Sequence, residues 1–111
     1  MPMHVLSTNS VYYRAYYLMS RIEKELNEKP NKEWVTKAEN LKKSINKYFW
    51  NENKGNYNYI VDSFGNSDAQ ESLGIAFSLL FDIVDKDNIN KIFDNTIVEP
   101  AGIPCVYPSS F

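Results

Sequence analysis

Apolar residues recur at helical spacing along several stretches of the chain, and clusters of polar or turn-forming residues separate them. Val11, Ala15, Leu18, Met19, Ile22 and Leu26 make one apolar stripe, with Ser7, Thr8 and Asn9 before it as good N-cap residues. They predict a first helix from about residue 7 to Leu26, with Arg21, Glu25 and Glu28 lying away from the stripe. Asn27 to Asn31, with Pro30 inside, breaks the pattern. A second stripe of Trp34, Val35, Ala38, Leu41, Ile45, Tyr48 and Phe49 predicts a helix from about Lys32 to Phe49. Glu33 with Lys37 and Glu39 with Lys43 are acid-before-base pairs on its other side. Two amphipathic helices joined by a short loop read as an antiparallel hairpin over residues 7–50.

The following segment changes character. Asn51 to Asn56 is a turn cluster containing Gly55, Tyr57 to Val61 is rich in β-formers, and Asp62 to Asn66 carries a second turn at Gly65. This predicts a turn and strand excursion over 51–66, with at most a short β-hairpin near 57–66. A third helix is expected to start at Ser67 or Asp68, because Asp68 with Glu71 and Ser67 with Gln70 have the spacing of a capping box. From Leu73 to Val84 the pattern is apolar almost all round, as in a helix buried on every side. Gly74 within it costs about 1 kcal/mol relative to Ala and points to a close approach on that face. A shorter fourth helix, capped by Asp85 or Asp87, carries Ile89, Ile92 and Phe93 and completes a second hairpin over 67–95. Three prolines and a glycine then make 96–111 an extended apolar tail. The fold class is mainly all-α, one helical unit over residues 1–111.

Composition narrows function by exclusion. With 111 residues, 12 Lys and Arg against 14 Asp and Glu, and a net charge of −2, the chain has no electrostatic footprint for nucleic acid. No apolar run is long enough for a bilayer, and no signal peptide precedes the first helix, so the chain as it stands reads as soluble and cytoplasmic. The single Cys105 rules out an internal disulfide framework, and burial in an apolar loop suits it better than a nucleophile's role. His4, the only histidine, reads as solvated. Asp85, Asp87 and Asn88 lack the glycine and distal glutamate of a calcium loop. No metal or cofactor is expected. Tyrosines crowd at positions 12, 13, 16 and 17 and again at 57 and 59. They suit helix packing with wet hydroxyls, and equally a surface that faces sugar or protein.

The order of Ser7–Tyr16, Lys37–Trp50, the excursion with Gly55, Tyr57 and Tyr59, then Asp68–Phe77 and Gly102–Pro108 resembles a segment of the six-hairpin glycosidases. The nearest branch is the α-L-rhamnosidase-like one. The resemblance implies part of an α/α toroid, about a third of it, with the third helix as an inner helix. It also implies a helix-end rim that binds carbohydrate through Tyr57, Tyr59, Gln70 and Tyr107.

Glycoside hydrolysis needs two carboxyl groups roughly 5–9.5 Å apart, and the candidates are Asp62, Asp68, Glu71 and Glu99. Asp68 and Glu71 share one helix face and are the catalytic candidates, although a capping box accounts for both without a substrate. The resemblance implies that the catalytic pair comes from other segments, which would leave this chain inactive alone. The alternative is a small helical interaction module. Under either reading the apolar surface of the third helix and the tail asks for cover, from the remainder of a toroid or from a second copy in a homo-oligomer.

Overall fold

The computed structural model describes residues 4–27, 32–62, 65–98 and 102–108. Helix α1 (Leu6–Leu26) and helix α2 (Glu33–Tyr48) pack side by side as the expected hairpin. Helix α3 (Ser72–Leu80) packs on α1, so α1 lies between two helical neighbours. A short 3-10 turn (Lys86–Asn88) leads into helix α4 (Ile89–Asn95).

Among the described residues, seven short strands join these helices. Strand β4 (Ile60–Asp62) is the centre of a three-stranded antiparallel sheet, flanked by β1 (His4–Val5) and β5 (Gly65–Ser67). Strands β2 (Trp50–Asn51) and β3 (Asn56–Tyr57) make a tight hairpin. Strand β6 (Gln70–Glu71) pairs antiparallel with β7 (Val106–Tyr107), with Gln70 opposite Tyr107 and Glu71 opposite Val106. The excursion is therefore richer in β-structure than the single hairpin expected. Part of the tail is a strand, because its backbone groups find partners on β6.

The core gathers Leu6, Tyr13, Ala38, Ile45, Phe49, Tyr57, Ile75, Ile83, Val84 and Ile92. It overturns the expected orientation of α1. The buried face of this helix carries Leu6, Ser10 and Tyr13, with Tyr16 and Tyr17 packed at its edge. The aliphatic stripe points the other way: Val11 is 47%, Leu18 42%, Met19 42%, Ile22 51% and Leu26 78% exposed. Helix α1 is apolar on two faces, and periodicity alone does not choose between them. The aromatic face wins the interior. Its rings pack against the core and against one another, with Tyr13 stacked on Tyr17 and Tyr16 tilted against Trp34 of α2.

Helix α3 also departs from expectation. It begins at Ser72, not at Ser67 or Asp68, and no side chain caps it, so neither capping box forms. The competing use of residues 70–71 is the strand pairing with the tail. The helix ends at Leu80, where Asp82 takes a left-handed conformation with φ 60°. The Asp82 N–H then donates to Leu79 O and the Ile83 N–H to Ser78 O, the two bonds of a Schellman stop. Nor is α3 buried all round: Gly74, Ile75 and Ser78 face inward, while Leu73 and Leu80 are exposed. Helix α4 packs chiefly on β3, so the second helix pair is looser than expected.

Candidate functional site

Three of the candidate residues, Gln70, Glu71 and Tyr107, meet where β6, β7 and the start of α1 converge. Helix α1 has Val5 at its N-cap, no side-chain cap and no acidic residue in its first turn. Glu71 supplies what is missing from another part of the chain. Its Oε1 accepts from the Ser7 backbone N–H at 2.9 Å, and its Oε2 accepts from Ser7 Oγ at 2.8 Å. A carboxylate at a helix N-terminus meets both the orphan N–H groups and the positive end of the helix dipole. Glu71 is buried, and Gly74 makes its position possible. A Cβ at Gly74 would collide with Glu71 Oε1 and lie 2.7 Å from Leu6 Cγ. The close approach expected at Gly74 is thus the packing of α3 against the start of α1.

Gln70, equally buried, spends its whole amide on the chain beyond α4. Its Nε2 donates to Ile97 O at 3.1 Å, and its Oε1 accepts from the Ile97 N–H at 2.5 Å. Tyr107, opposite Gln70 across the β-ladder, is exposed at its side chain. The tail is held further by the Ser72 N–H, which donates to Cys105 O at 2.9 Å, and by Ser72 Oγ, which donates to Pro104 O. Beside this junction a cavity of about 310 Å³ is lined by Ser7, Thr8, Val11, Tyr12, Leu73 and Phe77.

The remaining candidates lie elsewhere. Asp68 is exposed, and its backbone carbonyl accepts from Lys54 Nζ, which also reaches Tyr57 O at 3.4 Å. Burial holds the Lys54 ammonium below the usual lysine range, and the Asp68 charge beside it works in the opposite direction. Tyr57 is fully buried: its ring meets Trp50 edge-on at 5.1 Å, and its hydroxyl donates to Asn46 Oδ1 at 2.5 Å. Burial pushes the Tyr57 phenol well above the usual tyrosine range, with the charge of Asp85 adding to the effect. A sugar has no access to Tyr57 here, and the expected contact is corrected to a core role. Tyr59 is half-buried, and its backbone bridges Leu6 and Ser67. Asp62 lies in β4, and Glu99 falls outside the described residues. Cys105 is exposed, where burial was expected.

Sequence reasoning missed Ser7 as the partner of Glu71, which sits 64 positions away. It also missed the asparagines. Asn46 bonds Lys42 O, Ile83 O and the Tyr57 hydroxyl, and the buried Asn56 caps the Tyr57 N–H. Asparagines at 46, 51, 53, 56 and 58 were the available signal, since such density between helices implies side chains that replace regular backbone pairing.

Among the described residues no group of three His, Cys, Asp or Glu side chains is placed to hold a metal ion, and no helix is long and apolar enough to cross a membrane. What the residues form is a junction that locks a helical hairpin to a small β-rim.

A helical scaffold with a strand-bearing rim and carboxylates at helix ends is compatible with a glycosidase-type domain. The family model for amylo-alpha-1,6-glucosidase matches residues 4–110, almost the whole chain, and the chain belongs to that family. The match supports the glycosidase relationship, though it names a glucosidase rather than the rhamnosidase-like branch. No curated protein and no solved structure matches the chain.

Proposed function

We propose that this chain is a wall-and-rim segment of an α-1,6-glucosidase catalytic domain, built on paired helices as in an α/α toroid, and that its rim meets α-1,6-linked glucose. The observation that carries this reading is the family match across residues 4–110. The hairpin of α1 and α2, and the strands that gather at its ends, are consistent with such a segment. In this reading Tyr107 and Tyr59 are the rim residues offered to sugar. Gln70 and Glu71 set the rim's shape by holding Ile97 and Ser7.

Asp68 and Glu71 then serve as positioning groups. Glu71 has both oxygens engaged by Ser7, and hydrolysis needs a second carboxyl group across the scissile bond. The acid and base come from other segments of a complete domain, so the chain by itself binds without cleaving.

The test is a nuclear magnetic resonance titration of the purified chain with isomalto-oligosaccharides and, separately, with rhamnosyl oligosaccharides, alongside an assay for released glucose. Expected are shifts at Tyr107, Tyr59 and the β6–β7 amides with the glucosyl series only, and no glucose release. Shifts with the rhamnosyl series alone would move the chain to the rhamnosidase-like branch. No response at the rim to either series, or turnover by the chain itself, would overturn the proposal.

A further inference from the structure

Between the second half of α1 and the first half of α2 runs a groove of about 920 Å³, within the roughly 300–1,000 Å³ of small-molecule sites. It lies away from the β-rim, since Arg21 on its wall is about 21 Å along α1 from Ser7 at the helical rise. Charged side chains set its character. Arg21 and Lys24 of α1 and Lys32 at the N-cap of α2 supply three cations, and Glu25 and Glu39 supply two carboxylates. None of these five side chains makes an ion pair or hydrogen bond among the described residues, whose ion pairs are Glu33 with Lys37 and Glu52 with Lys91.

Those charges decide what does not fill the groove. A neighbouring helix of a larger domain would take five unpaired charges out of water, a desolvation cost that packing does not repay. The groove therefore stays open to solvent, and to a ligand with charges and hydroxyl groups of its own.

The lining is also directional. Arg21 and Lys24 are one turn apart on α1, and with Lys32 they gather the cations at one end. Glu39 lies two turns further along α2, about 10 Å from Lys32, with Thr36 on the wall between them. Tyr17 stands at the Glu39 end, fixed by its stack with Tyr13 and by the Arg14 guanidinium 5.1 Å from its ring centroid. Arginine and lysine donors recognise phosphate oxygens, whereas carboxylates and a threonine hydroxyl accept from hydroxyl groups. A sugar phosphate carries both kinds of group in line. A bare anion would leave Glu39 unused and be repelled by Glu25, and a neutral sugar would leave the three cations unused.

We infer that this groove is a second ligand site, for a sugar phosphate, with the phosphate on Arg21, Lys24 and Lys32 and the sugar hydroxyls on Glu39 and Thr36. The inference rests on charge and placement and stands independently of the rim's sugar-binding reading.

The test is a nuclear magnetic resonance titration of the purified chain with glucose 6-phosphate and, separately, with glucose, inorganic phosphate and adenosine monophosphate. Expected are shifts at the amides around Arg21, Lys24, Thr36 and Glu39 with glucose 6-phosphate. Its affinity there exceeds that of glucose or phosphate at least about 10-fold and weakens as salt is raised. Shifts at the β6–β7 amides report on the rim alone, so the two sites succeed or fail separately. The double variant Arg21→Gln, Lys32→Gln loses at least about 10-fold in affinity, as removal of charge-assisted hydrogen bonds does. Glu39→Gln separates the two ends: it weakens glucose 6-phosphate and leaves or strengthens inorganic phosphate, because a negative charge is gone. Circular dichroism of these variants is unchanged, because all three side chains are exposed. No response in the groove to glucose 6-phosphate would overturn the inference. So would equal affinity for inorganic phosphate, which means a simple anion trap, tighter binding of adenosine monophosphate, which means a nucleotide site, or unchanged affinity in the double variant.

Discussion

In the α1–α2 hairpin, apolar side chains lie on both the inside and the outside, and polar groups contribute little to the interior beyond Ser10. In the segment from Trp50 to Glu71 the proportions reverse. Asn56, Asn58, Gln70 and Glu71 are buried there, together with the ring of Tyr57. Each of these polar side chains has a partner, and among the described residues no buried side-chain nitrogen or oxygen is left without one. The difference follows from backbone requirements. A helix satisfies its own N–H and C=O groups and leaves its side chains free to pack. Strands of two or three residues satisfy few, so side chains must complete the bonding and come inside to do it. The hairpin is therefore tolerant on one face, while the rim is sensitive at almost every buried position.

Tyr57 is where that contrast gives the largest effect. Tyr57→Ala removes the edge-on contact with Trp50 and leaves Asn46 Oδ1 without its hydroxyl donor. The expected loss is about 3–5 kcal/mol of stability, the range for deleting a buried aromatic ring. Chemical denaturation reads this directly, and Tyr57→Phe separates the hydroxyl's share from that of the ring. A loss under about 1 kcal/mol for Tyr57→Ala would mean that the rim is not part of the cooperative core.

Gly74 tests the seam between the two regions, and it does so by sign. Replacing a glycine inside a helix with alanine ordinarily gains up to about 1 kcal/mol. Here the new methyl meets Leu6 and the Glu71 carboxylate. Gly74→Ala is therefore expected to cost about 1–3 kcal/mol, the range for overpacking. Thermal unfolding of the variant decides it, and a gain in stability would show that α3 does not press on the start of α1.

The sequence made some of this legible and concealed the rest for identifiable reasons. The extents of α1 and α2 were readable because each has a long apolar period bounded by turn residues. Gly74 signalled a close approach because a glycine there carries a cost that something must offset. The role of Glu71 was hidden. Its spacing from Asp68 imitates a local capping box, whereas its real partner is distant in sequence and becomes its neighbour only once α3 has docked on α1. Gln70 was hidden in the same way by Ile97. The family match carries the glycosidase relationship further than the described geometry does, because the rim's polar groups are spent within the chain.

The smallest expected effect is the sharpest test of the two faces of the hairpin. Ile22 on α1 and Ile45 on α2 belong to stripes of the same apparent quality, and the same substitution can be made at both. Ile45 is 1% exposed within the core, so Ile45→Ala should cost about 2–5 kcal/mol through lost burial and the cavity left behind. Ile22 is half exposed and not part of the core. In Ile22→Ala the burial lost is small, and the higher helix propensity of alanine offsets part of it. The net change should stay within about 0.5 kcal/mol, as for surface substitutions, when unfolding is followed by chemical denaturation. A large loss for Ile22→Ala would mean that α1 turns its aliphatic stripe inward, and that the aromatic face is the one left to solvent.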